Sequence, residues 1–224
     1  MRALIYVPIV HSEVDLGSMA GEVRRQFQEA FGAEEWNHRG ALLDAMWDGL
    51  SAKLFALPLR WPSTRIYQDG LPICGREPEI VRDLAGKGSR NHQLLADLMG
   101  RGAALMGTEN PELMLAEYRR TQEVMKAAKE RAPDAVVAEL KREGEALLGQ
   151  RDAFVARRID ETLADGETGI LFIGLLHRVD EFLDGKFEVR HLIHSLPFGA
   201  DAGRKLNAEW ATDSRKMKER DHAD

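Results

Sequence analysis

A single cysteine, Cys74, stands in 224 residues. That excludes an internal disulfide framework and suits a reducing cytoplasm. Cys74 follows Pro72-Ile73 with no histidine at a recognisable spacing, so nothing marks a catalytic thiol. No apolar run reaches the roughly 18 to 20 residues that cross a bilayer. The opening MRALIYVPIV meets His11, Glu13 and Asp15 where a signal peptide would continue apolar, and it reads as a first strand. Positive charge is not in excess: 31 Lys and Arg face 37 Asp and Glu, a net charge of -6. With no basic stripe interleaved with aromatics, nucleic acid is excluded as the expected partner. No Walker-type Gly-x-x-x-x-Gly-Lys, no Gly-x-Gly-x-x-Gly after a strand and no Gly-x-Ser-x-Gly occurs. Gly86-Lys87-Gly88-Ser89 has the composition of a phosphate loop but follows no clear strand. No internal repeat appears at a solenoid period.

What remains is ordinary globular material, 44% hydrophobic and 30% charged, enough for a sizeable core. Five short apolar runs read as strands: Ala3 to Val10, Thr64 to Gln68, Ala103 to Met106, Gly169 to Leu176 and Phe187 to His194. Pro8 sits awkwardly in the first, because proline cannot donate to a ladder, and it marks a strand end, an edge or a bulge. Met19 to Leu57 reads as helix broken at Gly32, and Cys74 to Ala85 as a short helix with Pro78 in its first turn. Asn91 is a candidate cap for a helix from His92 to Met99, and Asn110-Pro111 a cap and first turn for a helix to Arg131. Asp134 opens a helix from Ala135 to Leu148, and a further helix starts near Arg151. His38 and His92 read as solvated, and Trp36, Trp47 and Trp61 as core or interface. A last short helix is expected over Asn207 to Thr212, and Asp213 to Asp224 reads as a polar tail. The predicted fold is α/β: a mixed or mainly parallel sheet of four to six strands covered by long helices. It occupies residues 1–212 as one domain, with a helical hairpin over about 111–164 that closes over the sheet's rim or dimerises.

Chain direction gives this pattern its interest. Four of the strands run out into His11 and Glu13, into Asp69, into Glu109 and into His177. If the strands are parallel, their carboxyl ends share one rim, where open α/β sheets bind ligands. Imidazole and carboxylate together suit a divalent metal such as zinc or manganese. A carboxylate left over suits general-base work. Each residue also has a structural reading: Asp69 before Gly70 as a turn residue, Glu109 as a first-turn acid, Glu13 and Asp15 as loop acids, Arg151 as a helix-surface arginine. The coincidence at strand exits carries the argument, not any single member.

The stretch Arg151 to Asp180, RDAFVARRIDETLADGETGILFIGLLHRVD, adds a resemblance. Asp152, Val155, Ile159, Thr162 and Leu163 share a helical spacing that leaves Arg157, Arg158 and Glu161 for solvent. Asp165-Gly166 then turns the chain into the apolar run that ends at His177. An Arg-Asp pair opening a helix, followed by a buried strand ending in Gly-x-x-His, resembles the C-terminal signature of the TraB/TIKI family, here Arg151, Asp152, Gly174 and His177. Pro8-Ile9-Val10-His11 stands where that family carries a first Gly-x-x-His, with Pro in place of Gly. The resemblance implies a metal-dependent hydrolase of amide or ester bonds acting on a small molecule or peptide. His11, His177 and Asp69 would hold the metal, Glu13 or Glu109 would act as base, and Arg151 would steer substrate. A metal-free ligand-binding protein on the same scaffold, and an interaction protein working through its charged helices, stay open beside it.

Overall fold

The computed structural model describes residues 2–194. The expected Asn207 to Thr212 helix and the polar tail lie outside them. Five strands, β1 (Arg2–Ile9), β2 (Thr64–Gln68), β3 (Ala104–Met106), β4 (Thr168–Gly174) and β5 (Phe187–His191), form one sheet in the order β3-β2-β4-β1-β5. All four pairings are parallel, so the sheet is parallel throughout and not mixed. Six helices complete the α/β fold: α1 (Ala20–Phe31), α2 (Ala33–Phe55), α3 (Glu77–Gly86), α4 (Arg90–Gly100), α5 (Pro111–Lys129) and α6 (Asp134–Thr162). None is long and apolar enough to cross a membrane.

Strand alternation builds a core on each face of the sheet. Ile5, Val7 and Ile9 of β1, Ile66 of β2 and Ile170 and Phe172 of β4 pack with Leu43, Trp47, Leu50 and Leu54 of α2 and Leu94, Leu95 and Leu98 of α4. Their alternates Leu4, Tyr6, Tyr67, Leu171 and Ile173 pack under Val155, Ala156, Ile159 and Leu163. Trp36 and Trp47 are buried as expected, and Trp61 packs partly against the first core.

Pro8 explains where β5 stops. Even-numbered residues of β1 face β5, as Arg2 N–H donates to Lys186 and Leu192 N–H donates to the Tyr6 carbonyl. Continuing that register, residue 8 would donate to Leu192, and proline has no proton to give. The strand expected to reach His194 therefore ends at His191.

Other boundaries differ for local reasons. The segment expected as two helices around 148–151 is one helix, α6, of 29 residues. Gly149 within it carries a cost of about 1 kcal/mol that a continuous helix absorbs, as does Gly144. Arg158, expected in solvent, donates to the Gly107 carbonyl at 3.0 Å. The helix expected from His92 starts earlier, with Ser89 as cap. Asn110 caps α5 as read, its Oδ1 accepting from Glu112 N–H at 2.7 Å. His38 is exposed, but His92 is buried.

The burial of His92 has a partner. Asp15, in a 3-10 turn over Glu13–Met19, accepts from the N–H and hydroxyl of Ser12, both at 2.8 Å, and from the Ser89 hydroxyl at 2.6 Å. His92 Nδ1 lies 2.8 Å from that hydroxyl and 3.3 Å from the carboxylate. The cluster ties the exit of β1 to the start of α4. Burial raises the Asp15 pKa, but the hydrogen bonds from His92, Ser89 and Ser12 outweigh it and hold the carboxyl at about 2. Its ionised form thus contributes stability that is present above the unfolded carboxyl's pKa, near 4, and is lost as pH falls towards 2. Asp15→Asn should cost about 2 kcal/mol at neutral pH, and the gap from wild type should close between pH 4 and 2 in urea unfolding followed by circular dichroism. A gap that is flat across that window would contradict this account.

Candidate functional site

The carboxyl ends of β1, β2 and β4 bring His11, Asp69 and His177 together. Asp69 leaves β2 with its N–H bonded to the Phe172 carbonyl of β4 at 2.9 Å, which turns its side chain across the rim. Its Oδ2 lies 3.0 Å from His11 Nε2 and 3.4 Å from His177 Nε2, and accepts the Gly174 N–H at 3.0 Å. The two ring nitrogens are therefore no farther apart than those two distances laid end to end. The chain turns after Gly174, with His177 N–H returning to the Gly174 carbonyl at 3.0 Å. The strand expected to run to Leu176 ends there, and Leu175 and Leu176 project into solvent, 67% and 74% exposed. Gly174 has a steric reason as well: a Cβ there would stand 2.9 Å from Asp69 Oδ2 and 3.4 Å from His11 Nε2.

A second layer holds these groups. Asp152 accepts from His177 Nδ1 at 2.5 Å and from Arg178 N–H at 2.9 Å, fixing the ring with Nε2 towards Asp69. Arg151 donates to Asp69 Oδ1 at 2.8 Å, to Glu109 Oε1 and Oε2 at 2.6 and 3.2 Å, and to Glu117. Glu109, at the exit of β3, has no exposed surface. It is thus a partner of Arg151 behind the rim, and Arg151 is saturated with carboxylates. Glu13 is not part of the cluster: it pairs with Arg24 at 3.1 Å and lines a separate depression with Trp36 and Arg39.

The electrostatics follow from burial and pairing. Burial would raise the Asp69 carboxyl, but the His11 hydrogen bond and the charges of His177, His11 and Arg151 hold it well below the usual range. Glu109 goes the other way, because its burial outweighs the Arg151 fork. Burial lowers both histidines, yet both end above their ordinary value, His11 through Asp69 and His177 through Asp152 and Asp69.

Above the rim, α5 and α6 pack against one another and leave a groove of about 800 Å³. His11, Asp69, Arg151 and His177 line its floor, and Glu117, Tyr118 and Lys141 its helical wall. Glu117 was missed in the sequence because nothing marks it among the many charges of α5; its signal is the α5–α6 pairing, which opposes it to Arg151.

Two imidazole nitrogens and a carboxylate oxygen are ordinary donors for zinc or manganese. Bonds near 2 Å at a tetrahedral angle set donor atoms about 3.3 Å apart, close to the spacings around Asp69 Oδ2. Asp152 on the far nitrogen of His177 is the support that a metal-bound histidine takes. As the side chains stand, however, they bond to one another, and among the described residues no three His, Cys, Asp or Glu side chains surround a common point. The donor set fits a metal in kind, with the imidazole protons and the side chains' bonds to one another as its competitors.

Comparison of the chain with family models, with curated proteins and with solved structures finds no match in any of the three.

Arg151 offers a direct test of the buried network. Arg151→Met leaves Glu109 and Asp69 without their shared cation and should cost about 3–5 kcal/mol in urea unfolding. Arg151→Lys should recover little, since an ammonium cannot fork. Arg151→Met with Glu109→Gln should recover part of the loss. A single-variant cost under about 1 kcal/mol would show that the network does not hold the rim.

Proposed function

We propose that this chain is a metal-dependent hydrolase of amide or ester bonds, TraB/TIKI-like. The carrying observation is that His11 and His177, from opposite ends of the chain, converge on one oxygen of Asp69. His11, His177 and Asp69 would hold zinc or manganese, which when bound supplies a Lewis acid and acidifies water. His11 is the most open of the three, its side chain 34% exposed, and faces the groove where a substrate carbonyl would lie. Asp152 fixes the tautomer and direction of His177, and Gly174 N–H with Arg151 fixes Asp69. Arg151 thus acts as a positioning residue, in place of the substrate contact read from the sequence. Glu109, buried behind it, sets Arg151; Glu117 is a further carboxylate that lines the groove. A chain of 224 residues with a single cysteine suits a cytoplasmic setting.

A metal-free ligand-binding protein is the second reading. It is favoured by Asp69 Oδ2, which already meets the Gly174 N–H and both imidazoles.

Elemental analysis of purified wild type and His177→Ala separates them. About one zinc or manganese per chain in the wild type, lost in the variant while its circular dichroism is kept, is the expected result. A wild type that stays metal-free after incubation with both ions would overturn the hydrolase reading.

A further inference from the structure

The groove differs in character from its floor. Met19, Met114, Met125, Leu148, Leu175 and Leu176 line it above the His11–Asp69–His177 cluster. Three of the chain's eight methionines stand here, and methionine adapts to varied apolar shapes. Leu175 and Leu176 are among the most exposed large apolar side chains in the described residues. Paired exposure of this kind beside a reactive cluster marks a surface that an apolar ligand covers. The walls are α5 and α6, whose backbone groups are satisfied within their own helices. Such walls offer no strand edge to an extended peptide, which needs main-chain partners. They suit a flexible hydrocarbon chain, which asks for contact area alone. The chain's polar end would then meet the imidazole and carboxylate side chains on the groove's floor.

We infer that the groove binds the acyl chain of a linear acyl amide or ester, with the carbonyl at the His11–His177 end. This names the substrate class of the proposed hydrolase and rests on that reading for the chemistry, though not for the binding. The size fits: sites of about 300–1,000 Å³ hold ligands of this scale.

The test is calorimetric titration of the metal-free chain with N-acylglycines from acetyl to dodecanoyl, beside a hydrolysis assay of the same series after zinc or manganese loading. Affinity should rise about three- to fourfold per methylene over several carbons and then level off where the groove ends. Leu175→Gln with Leu176→Gln, both at exposed positions, should weaken dodecanoylglycine tenfold or more and acetylglycine by a much smaller factor. Equal affinity for short and long chains, or tighter binding of an apolar hexapeptide than of dodecanoylglycine, would overturn the inference. Chain-length-dependent binding without hydrolysis keeps the groove assignment and defeats the hydrolase reading. Hydrolysis indifferent to chain length does the reverse.

Discussion

Everything at the rim depends on keeping Asp69 ionised in a buried place. A carboxylate withdrawn from water is held only by cations and N–H donors at close range. Here four such groups meet it: His11, His177, Arg151 and the Gly174 amide. They come from three parts of the chain, so Asp69 links β1, β2, β4 and α6 in one electrostatic knot. The two carboxylates behind it play different parts. Asp152 supports a histidine, while Glu109 supports Arg151 and is itself pushed towards protonation by burial. Removing the central carboxylate would leave His11 and the Gly174 amide without their acceptor, with His177 held by Asp152 and Arg151 by Glu109 and Glu117 alone.

Backbone chemistry sets how closely these groups approach. Gly174 stands on β4 opposite Ile9 of β1, where both strands end. A side chain at 174 would press on Asp69 and His11, so the glycine follows from the proximity of the acid. Pro8 stands one residue before Ile9 and answers to a different neighbour. Its ring faces the β5 side, where the ladder has just ended, so nothing there needs its missing proton. The Gly and Pro of the two x-x-His motifs are thus not equivalent positions in the packing. One sits against the acid, and the other closes a strand.

The strand exits were legible in the sequence because apolar runs ending in polar residues leave few other readings. His11, Asp69, Glu109 and His177 do stand at the exits of four parallel strands. What local pattern could not supply was depth. Asp69 and Glu109 both follow strands, yet one carboxylate reaches the groove floor while the other lies behind Arg151. Glu13 would stand beside His11 only on extended backbone, where residues two apart face the same way. The chain instead coils into a 3-10 turn at that point, sending Glu13 to Arg24 and Asp15 inward to Ser89. His92 looked solvated because its neighbours are polar, and its burial follows from a partner 77 positions earlier in a segment with no helical or strand period. Long-range pairing of polar groups has no periodic signature in a sequence.

The continuity of α6 ties these observations together. Its first half, with Leu140 and Leu148, forms a wall of the groove. Arg151 and Asp152, one turn on, hold Asp69 and His177. Val155, Ile159 and Leu163 then fix its last turns on the sheet. Two helices meeting near Gly149 would let the wall move without disturbing the acid. An unbroken helix does not: a rigid-body tilt at Leu148 carries Arg151 with it, and Glu117 adds a second tie from α5. Whatever fills the groove therefore presses on the side chains that orient the rim. In this fold the groove wall and the residues that orient the rim are two stretches of the same rod.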